Sequence, residues 1–354
     1  MSDAEPATSA KLGKVKKNAL SDGQGRLAAL LISPTMLVIL FVVGIPIIAS
    51  LRESLFIRND GVDPTTGMVS NEEKFVGPAN FINIFAGNNS VSGNYGQMDR
   101  FWNAMVNTSL FTVVCIILET ILGVAMALIM AKAFRGRGFV RASILVPWAI
   151  PTIVSALMWK LIFTDSGVMN KVLGTQILWL ADSPAAFWAV VIADVWKTAP
   201  FIGLLTLAGL QTIPAEVYEA ARVDGATAWQ QFVRITLPMV KPTLVVAVLF
   251  RTLDTLRMFD LPWGMVGPQK YSVETLSMFA YIEAGAGRYG PAAAYSIALF
   301  GYIVLIAFLF VKLLGADVIN DEEVNALRER KKLQKKQARS ARLQKTSVTS
   351  GAMP

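Results

Sequence analysis

Six long apolar stretches dominate the pattern of hydrophobic and polar positions along the chain. In chain order they run from Leu27 to Ser50, Val106 to Met130, Ala142 to Phe163, Ala185 to Ala208, Pro238 to Leu256 and Pro291 to Leu314. A helix needs about 20 mostly apolar residues to cross the hydrocarbon core of a bilayer, and in lipid the backbone must satisfy its own polar groups. The pattern therefore predicts an all-α membrane protein, with six transmembrane helices in one domain from residue 27 to 315.

Composition and charge support this class of protein. Of the 354 residues, 54% are hydrophobic and only 16% are charged, whereas soluble domains average about 25% charged residues. The net charge of +8 comes largely from an N-terminal arm, residues 1–26, and a C-terminal tail, residues 316–354. Basic segments beside membrane helices contact anionic lipid, so we predict membrane lipid as a partner and no nucleic acid.

The distribution of basic residues also predicts the orientation. The connection after the second stretch contains four basic residues and no acidic residue: Lys132, Arg135, Arg137 and Arg141. Connections rich in Lys and Arg face the cytoplasm, which places both chain termini inside. The arm and the tail are polar and of low complexity, so we expect both to be disordered.

Several classes of function are excluded or disfavoured. The chain has no histidine, so it has no His-based catalytic triad, metal site or proton relay. It also lacks the Gly-rich phosphate loop that ends in Gly-Lys-Ser/Thr. We therefore expect no catalytic residues, no metal site and no cofactor site in this chain.

The connection from residue 211 to 237 has an unusual pattern for a membrane loop. Pro214 and the helix-forming run Ala215 to Val223 predict one short helix, and Gly225 favours its termination. A second helix is predicted from Thr227 to Ile235, before the chain re-enters the membrane. By the predicted orientation, both helices lie on the cytoplasmic side.

The sequence of this connection resembles the EAA loop of permease subunits in binding-protein-dependent ABC importers. Its motif reads Glu219-Ala220-Ala221, then Gly225 and, after nine intervening residues, Ile235 and Leu237-Pro238. The stretches VIADVWKTAP, LFRTLDTLRMFD and VETLSMFAYIEA are similar to the sugar permeases of the maltose/trehalose type. Where that family often has Gly-Gly-Pro, this chain reads GMVGP from residue 264.

The resemblance implies a fold, partners and a coupling site. The fold would be that of type I ABC importer permeases in the cell membrane, beside a second homologous permease, an ATPase dimer that binds ATP and Mg, and an extracytoplasmic sugar-binding protein. The residues implied in coupling to the ATPase are Glu219, Ala220, Ala221, Asp224, Gly225, Ile235, Leu237 and Pro238.

Charged and aromatic residues within the apolar stretches, or just beyond the fifth, are candidates for the substrate path, because a charge near the bilayer centre costs roughly 2.5–3.5 kcal/mol on insertion scales. The candidates are Trp148, Asp194, Trp196, Lys197, Arg251, Asp254, Arg257 and Trp263. Alternatively, Asp194 with Lys197, or Arg251 with Asp254, neutralise each other and join helices. Glu119 has no evident partner. Pro147 and Pro151 predict a kink in the third span.

These observations predict a non-catalytic, channel-forming permease subunit of an ATP-driven importer, with trehalose or maltose as the first expectation for its sugar. Permeation of glycerol phosphate or of other oligosaccharides is an alternative. An ion-coupled secondary carrier is another, although such carriers often contain inverted repeats and the two halves of this chain show none.

Overall fold

The computed structural model describes residues 20–59, 72–86, 97–181 and 184–315. The predicted tail, and the predicted arm up to residue 19, lie outside the described residues. Residues 20–26, which we expected in the arm, already belong to the first helix.

Helices account for most of the described chain, and two short strands complete it. The elements in chain order are α1 Leu20–Ile39, α2 Ile45–Glu53, β1 Phe56–Asn59, β2 Glu72–Phe75, α3 Ala79–Ala86, α4 Gln97–Ala131, α5 Arg137–Ala149, α6 Thr152–Phe163, α7 Val168–Leu173, α8 Pro184–Leu210, α9 Ala215–Val223, α10 Ala228–Gln231, α11 Leu237–Leu256, α12 Asp260–Met265, α13 Leu276–Gly285 and α14 Tyr289–Phe310. Segments of π-helix at Leu40–Gly44, Phe232–Thr236 and Val311–Gly315 continue the adjoining helices.

Six helical segments of the described chain are long and apolar enough to cross a membrane, as the sequence predicted. They are Leu27–Glu53, Arg100–Ala131, Thr152–Leu173, Pro184–Leu210, Ala228–Leu256 and Tyr289–Leu313. The first lies, up to Arg52, in a unit of its own, and the other five lie in a second unit that begins at Glu53. In the first unit the large apolar side chains of α1 are exposed on every face, as befits a helix that meets lipid or other apolar surfaces.

The third apolar stretch departs from the prediction of one kinked span. Ile150 and Pro151 are extended, with ψ angles of 134° and 138°, and they separate α5 from α6. Proline has no N–H to donate and disfavours helical backbone in the residue before it. The helix therefore breaks completely between Ala149 and Thr152, where a bend was expected.

The fifth span also differs from the prediction, but here the helix is longer than expected. We expected a separate short helix from Thr227 to Ile235, followed by the span itself. Instead, α10, the π-helical segment and α11 form one helical run from Ala228 to Leu256. Thr227 caps its start, because its hydroxyl accepts from the Gln230 N–H while the Gln230 side chain accepts from the Thr227 N–H.

The connection between the first two spans contains structure that the sequence did not predict. Strands β1 and β2 pair antiparallel, with Phe56 opposite Phe75. The buried Asn80 side chain donates to the Ser54 and Phe56 carbonyls at 2.7 and 3.1 Å, so α3 is fixed to the start of β1.

Two buried carboxylates, each bound by an arginine, fix the position of the chain that follows α12. Arg100 donates through Nε and Nη2 to Glu274 at 2.7 and 2.6 Å, and Arg288 binds Glu283 in the same two-pronged way. The hydrogen bonds to Glu283 raise the pKa of Arg288 above its ordinary value. These pairs connect α4 to the segment before α13, and α13 to the start of α14.

The core of the second unit is the close contact between α4 and α8. Gly123 of α4 faces Ile202 of α8, and a Cβ atom at Gly123 would lie 2.8 Å from the Ile202 Cβ and 3.0 Å from the Ala199 carbonyl oxygen. Small residues allow two membrane helices to approach this closely.

We expect Gly123→Ala to destabilise the protein, because the added methyl group must push α8 away from α4. Overpacking of this kind costs about 1–3 kcal/mol, and thermal unfolding of the detergent-solubilised protein measures it. The control is Gly301→Ala in α14, where a Cβ atom would meet nothing within 4 Å. Equal melting temperatures for the two variants would contradict the close contact.

Candidate functional site

The guanidinium of Arg251 is the centre of the candidate site. It lies near the end of α11 and is buried, with 4% of its side chain exposed. It donates to three carboxylates that come from three helices: Glu119 of α4, Asp194 of α8 and Asp254 of α11. This cluster accounts for several costly charges within the spans, because each buried charge has an opposite partner.

Glu119 forms the deepest part of this cluster. Its Oε2 accepts from Arg251 Nε at 2.7 Å, and its Oε1 accepts from Arg251 Nη2 at 3.0 Å. The Thr198 hydroxyl donates to Oε1 at 2.7 Å. Sequence reasoning found no partner for Glu119, since Arg251 lies 132 residues further along the chain. The cost of a charge in the second span was the only signal that a partner existed.

A polar cavity of about 400 Å³ opens on one side of the cluster. Six of the eight predicted path residues line it: Trp148, Asp194, Lys197, Arg251, Asp254 and Arg257. Asp254 and Arg257 face it with exposed side chains, 52% and 71% respectively, and they form an ion pair at 3.2 Å. The hydroxyl-bearing residues Thr152 and Thr198 also line the cavity.

The break in the third span shapes one wall of the cavity. Trp148 sits just before the break, is half exposed, and stacks on Phe201 with ring centroids 6.0 Å apart. The Ile150 carbonyl at the end of α5 accepts a hydrogen bond from Lys197 Nζ at 2.8 Å. A cation at a helix C-terminus is favourable, so Lys197 of α8 binds the end of α5. The predicted alternative of a direct Asp194–Lys197 ion pair is not found, whereas the Arg251–Asp254 pair is.

The structure does not bring Trp196 and Trp263 to this cavity. Trp196 packs edge-on against Trp159 and borders a separate apolar cavity of about 560 Å³. Trp263 of α12 stacks on Phe259 and contacts Tyr281. The sequence could not predict which face of each helix borders the cavity, because that depends on how the helices pack together.

The predicted coupling residues form a second exposed feature, at the other end of α11. Glu219 and Ala220 are exposed on α9, which ends at Val223 with Asp224 as its C-cap. Gly225 follows with a φ angle of +77°, a backbone conformation that glycine adopts without strain. Val223 and Trp229 are 88% and 71% exposed, so two large apolar side chains flank the turn.

Two connections join this segment to the membrane part of the chain. The Tyr218 hydroxyl of α9 is 3.0 Å from the Thr236 hydroxyl. Ile235 lies in the π-helical segment, and Leu237 and Pro238 begin α11. Since the helical run from Ala228 to Leu256 is unbroken, it reaches from the turn at Gly225 to Arg251 in the cavity wall.

Comparison with known proteins places these features in a family. Residues 119–320 match the family model described as binding-protein-dependent transport system inner membrane component. The trehalose/maltose transport system permease protein MalF of Thermococcus litoralis is 37% identical over 295 residues, covering 82% of this chain and 94% of that protein.

Other relatives point the same way. The trehalose transport system permease protein SugA of Mycobacterium tuberculosis is 36% identical and covers 82% of this chain and 89% of its own. The sulfoquinovosyl glycerol transport system permease protein SmoG of Agrobacterium fabrum is 30% identical and covers 82% and 91%. In fold, the chain is similar to a crystal structure of a bacterial ABC transporter involved in the import of the acidic polysaccharide alginate. That similarity has a TM-score of 0.68 at 22% identity and covers 84% of this chain and 99% of the other.

The matched region contains both the Arg251 cluster and the turn at Gly225, and the six apolar helices account for a multi-pass protein of the cell membrane. The chain therefore belongs to the family of inner membrane components of binding-protein-dependent ABC transport systems.

Proposed function

We propose that this chain is the channel-forming permease subunit of an ATP-driven importer for an α-linked disaccharide, with trehalose or maltose as the sugar. An extracytoplasmic binding protein delivers the sugar, and a separate ATPase drives its passage through contact with residues 211–237. The observation that carries the proposal is the cavity beside Arg251, which offers hydrogen-bonding groups and an aromatic wall within the membrane part of the chain.

The chemistry of the cavity fits an uncharged sugar. Sugars bind through polar groups that hydrogen-bond their hydroxyls and through aromatic rings that pack on their C–H faces. Three acidic and three basic residues line the cavity: Asp194, Asp254, Asp260, Lys197, Arg251 and Arg257. These side chains offer both donors and acceptors to sugar hydroxyls, and Trp148 supplies the ring.

The same contacts disfavour a phosphate-bearing substrate such as glycerol phosphate. Arg binds phosphate through its two-pronged arrangement of N–H donors, but Arg251 already donates to Glu119, Asp194 and Asp254. Arg257, although exposed, is paired with Asp254. Phosphate would have to compete with carboxylates for both cations.

The exposed segment around Gly225 supports coupling to a partner ATPase. Ala220 allows close approach to another surface, Glu219 offers a carboxylate to a basic group, and Val223 and Trp229 leave apolar area for a partner to cover. A push on this segment would be transmitted along the helical run from Ala228 to Leu256 as a rigid-body motion. In this proposal ATP and Mg bind to the ATPase dimer, a second permease completes the channel, and the segment faces the cytoplasm.

We expect deletion of the gene to abolish uptake of labelled trehalose or maltose, and plasmid-borne wild-type protein to restore it. Glu219→Ala should restore little uptake although the protein is inserted at the normal level, because the carboxylate at the partner surface is lost. Unchanged uptake of both sugars in the deletion strain would refute the proposed substrate.

Gly225→Val should reduce sugar uptake by about tenfold or more while leaving insertion intact, because a β-branched side chain at positive φ costs roughly 1–2 kcal/mol and tilts α9 against α10. ATP hydrolysis by the purified complex should lose its stimulation by the sugar-loaded binding protein. Gly174→Val is the matched control, since Gly174 also has a positive φ, +65°, with open space around it. Normal uptake by the Gly225 variant would contradict a coupling role.

Trp148→Ala should lower the initial rate of sugar uptake by about tenfold, the effect of losing one aromatic contact with the sugar, and Trp148→Phe should recover most of it. Trp188 is equally exposed but borders the separate apolar cavity, so Trp188→Ala should transport normally. Equal rates for the two alanine variants would remove Trp148 from the path.

A further inference from the structure

Glu119 is a buried carboxylate that the proposed function does not use. It is completely buried and does not line the cavity. Both of its oxygens are nevertheless engaged, by Arg251 and by Thr198. We propose that Glu119 is a positioning residue of the transport path, which holds the Arg251 guanidinium so that Arg251 aims the Asp254 carboxylate into the cavity. This inference rests on the proposed sugar import.

The guanidinium of Arg251 is planar, so two hydrogen bonds are enough to fix its orientation. Arginine has five N–H donors in a fixed plane. Glu119 accepts from Nε and from Nη2, and these two bonds fix the orientation of that plane. A lysine at the same position would have a rotating ammonium group and could not be oriented in this way.

The remaining N–H donors of Arg251 bind the two aspartates of the cluster. With the plane fixed, the other Nη2 donor meets Asp194, and Nη1 meets Asp254 Oδ2 at 2.6 Å. Asp254 is therefore fixed at one oxygen, while its Oδ1 lies on the side of the exposed Arg257. Glu119 thus sets the position of a cavity-facing group that it does not touch.

Glu119 itself has little freedom to move. The Thr198 hydroxyl donates to it from α8, and one turn further along α4 the close approach of Gly123 to Ile202 holds the two helices together. The carboxylate is consequently a fixed reference point for α11, on which Arg251 and Asp254 both lie.

A purely structural role predicts a different result, so the test compares two rates in one preparation. The complete complex, with its second permease, ATPase and binding protein, is reconstituted in liposomes with labelled trehalose as the probe. The quantity measured is trehalose imported per ATP hydrolysed, because this ratio does not depend on how much complex has assembled.

We expect Glu119→Gln to keep ATP hydrolysis stimulated by the binding protein but to lower the ratio about tenfold, the effect of one misplaced hydrogen bond to a charged group. Asp254→Asn should lower it to a similar extent, and the double variant should be no worse than either single one, because the two residues act through the same contact. Should Glu119→Gln fail to assemble, Glu119→Asp keeps the charge but cannot reach both donors, and it should lower the ratio too.

Glu283→Gln is the matched control. Glu283 is equally buried and is bound by Arg288 through the same two donors, but it lies away from the cavity. It should change both rates in proportion and leave the ratio at the wild-type value.

Three results would overturn the inference. An unchanged ratio in the Glu119 variants beside an active wild-type complex would show that Glu119 only holds helices together. Additive effects of Glu119→Gln and Asp254→Asn would show that the residues act separately. Absence of trehalose and maltose import by the wild-type complex would refute the proposed function first, and this inference with it.

Discussion

A single buried guanidinium joins three of the membrane helices of this protein. Arg251 lies where an unpaired charge would be costly, and its partners come from three helices. Removing Arg251 would leave the buried carboxylates of Glu119 and Asp194 without their cation, so α4, α8 and α11 depend on each other at this level. The same requirement concentrates the polar groups on one side of the helices, and the cavity forms there.

Proline acts in two opposite ways around this cluster. Pro151 breaks the third span and leaves the end of α5, with Trp148, as part of the cavity wall. Lys197 then meets the free carbonyl of Ile150, so the break is stabilised by the neighbouring helix. Pro238 lies in the first turn of α11, directly after a π-helical segment, and does not interrupt the run. One helix therefore joins the exposed turn at Gly225 to the cavity.

Much of this arrangement was predictable because it depends on local pattern. The six spans follow from the length of the apolar stretches, and the turn at Gly225 follows from glycine chemistry and from the motif around it. The aromatic candidates were less predictable. Trp148 lines the cavity, whereas Trp196 and Trp263 face other side chains. The sequence around each tryptophan did not indicate which of them would reach the cavity.

The sequence by itself determined the class of the protein, the number of spans and the position of the motif that resembles the EAA loop, since hydropathy over about 20 residues and a contiguous motif are local properties. Only the tertiary structure decided which charges pair. Glu119 and Arg251 are 132 residues apart, and a charge within lipid demands a partner without specifying where along the chain it lies. The packing of α4 against α8 and α11 chose that partner, and with it the side of the helices on which the cavity opens.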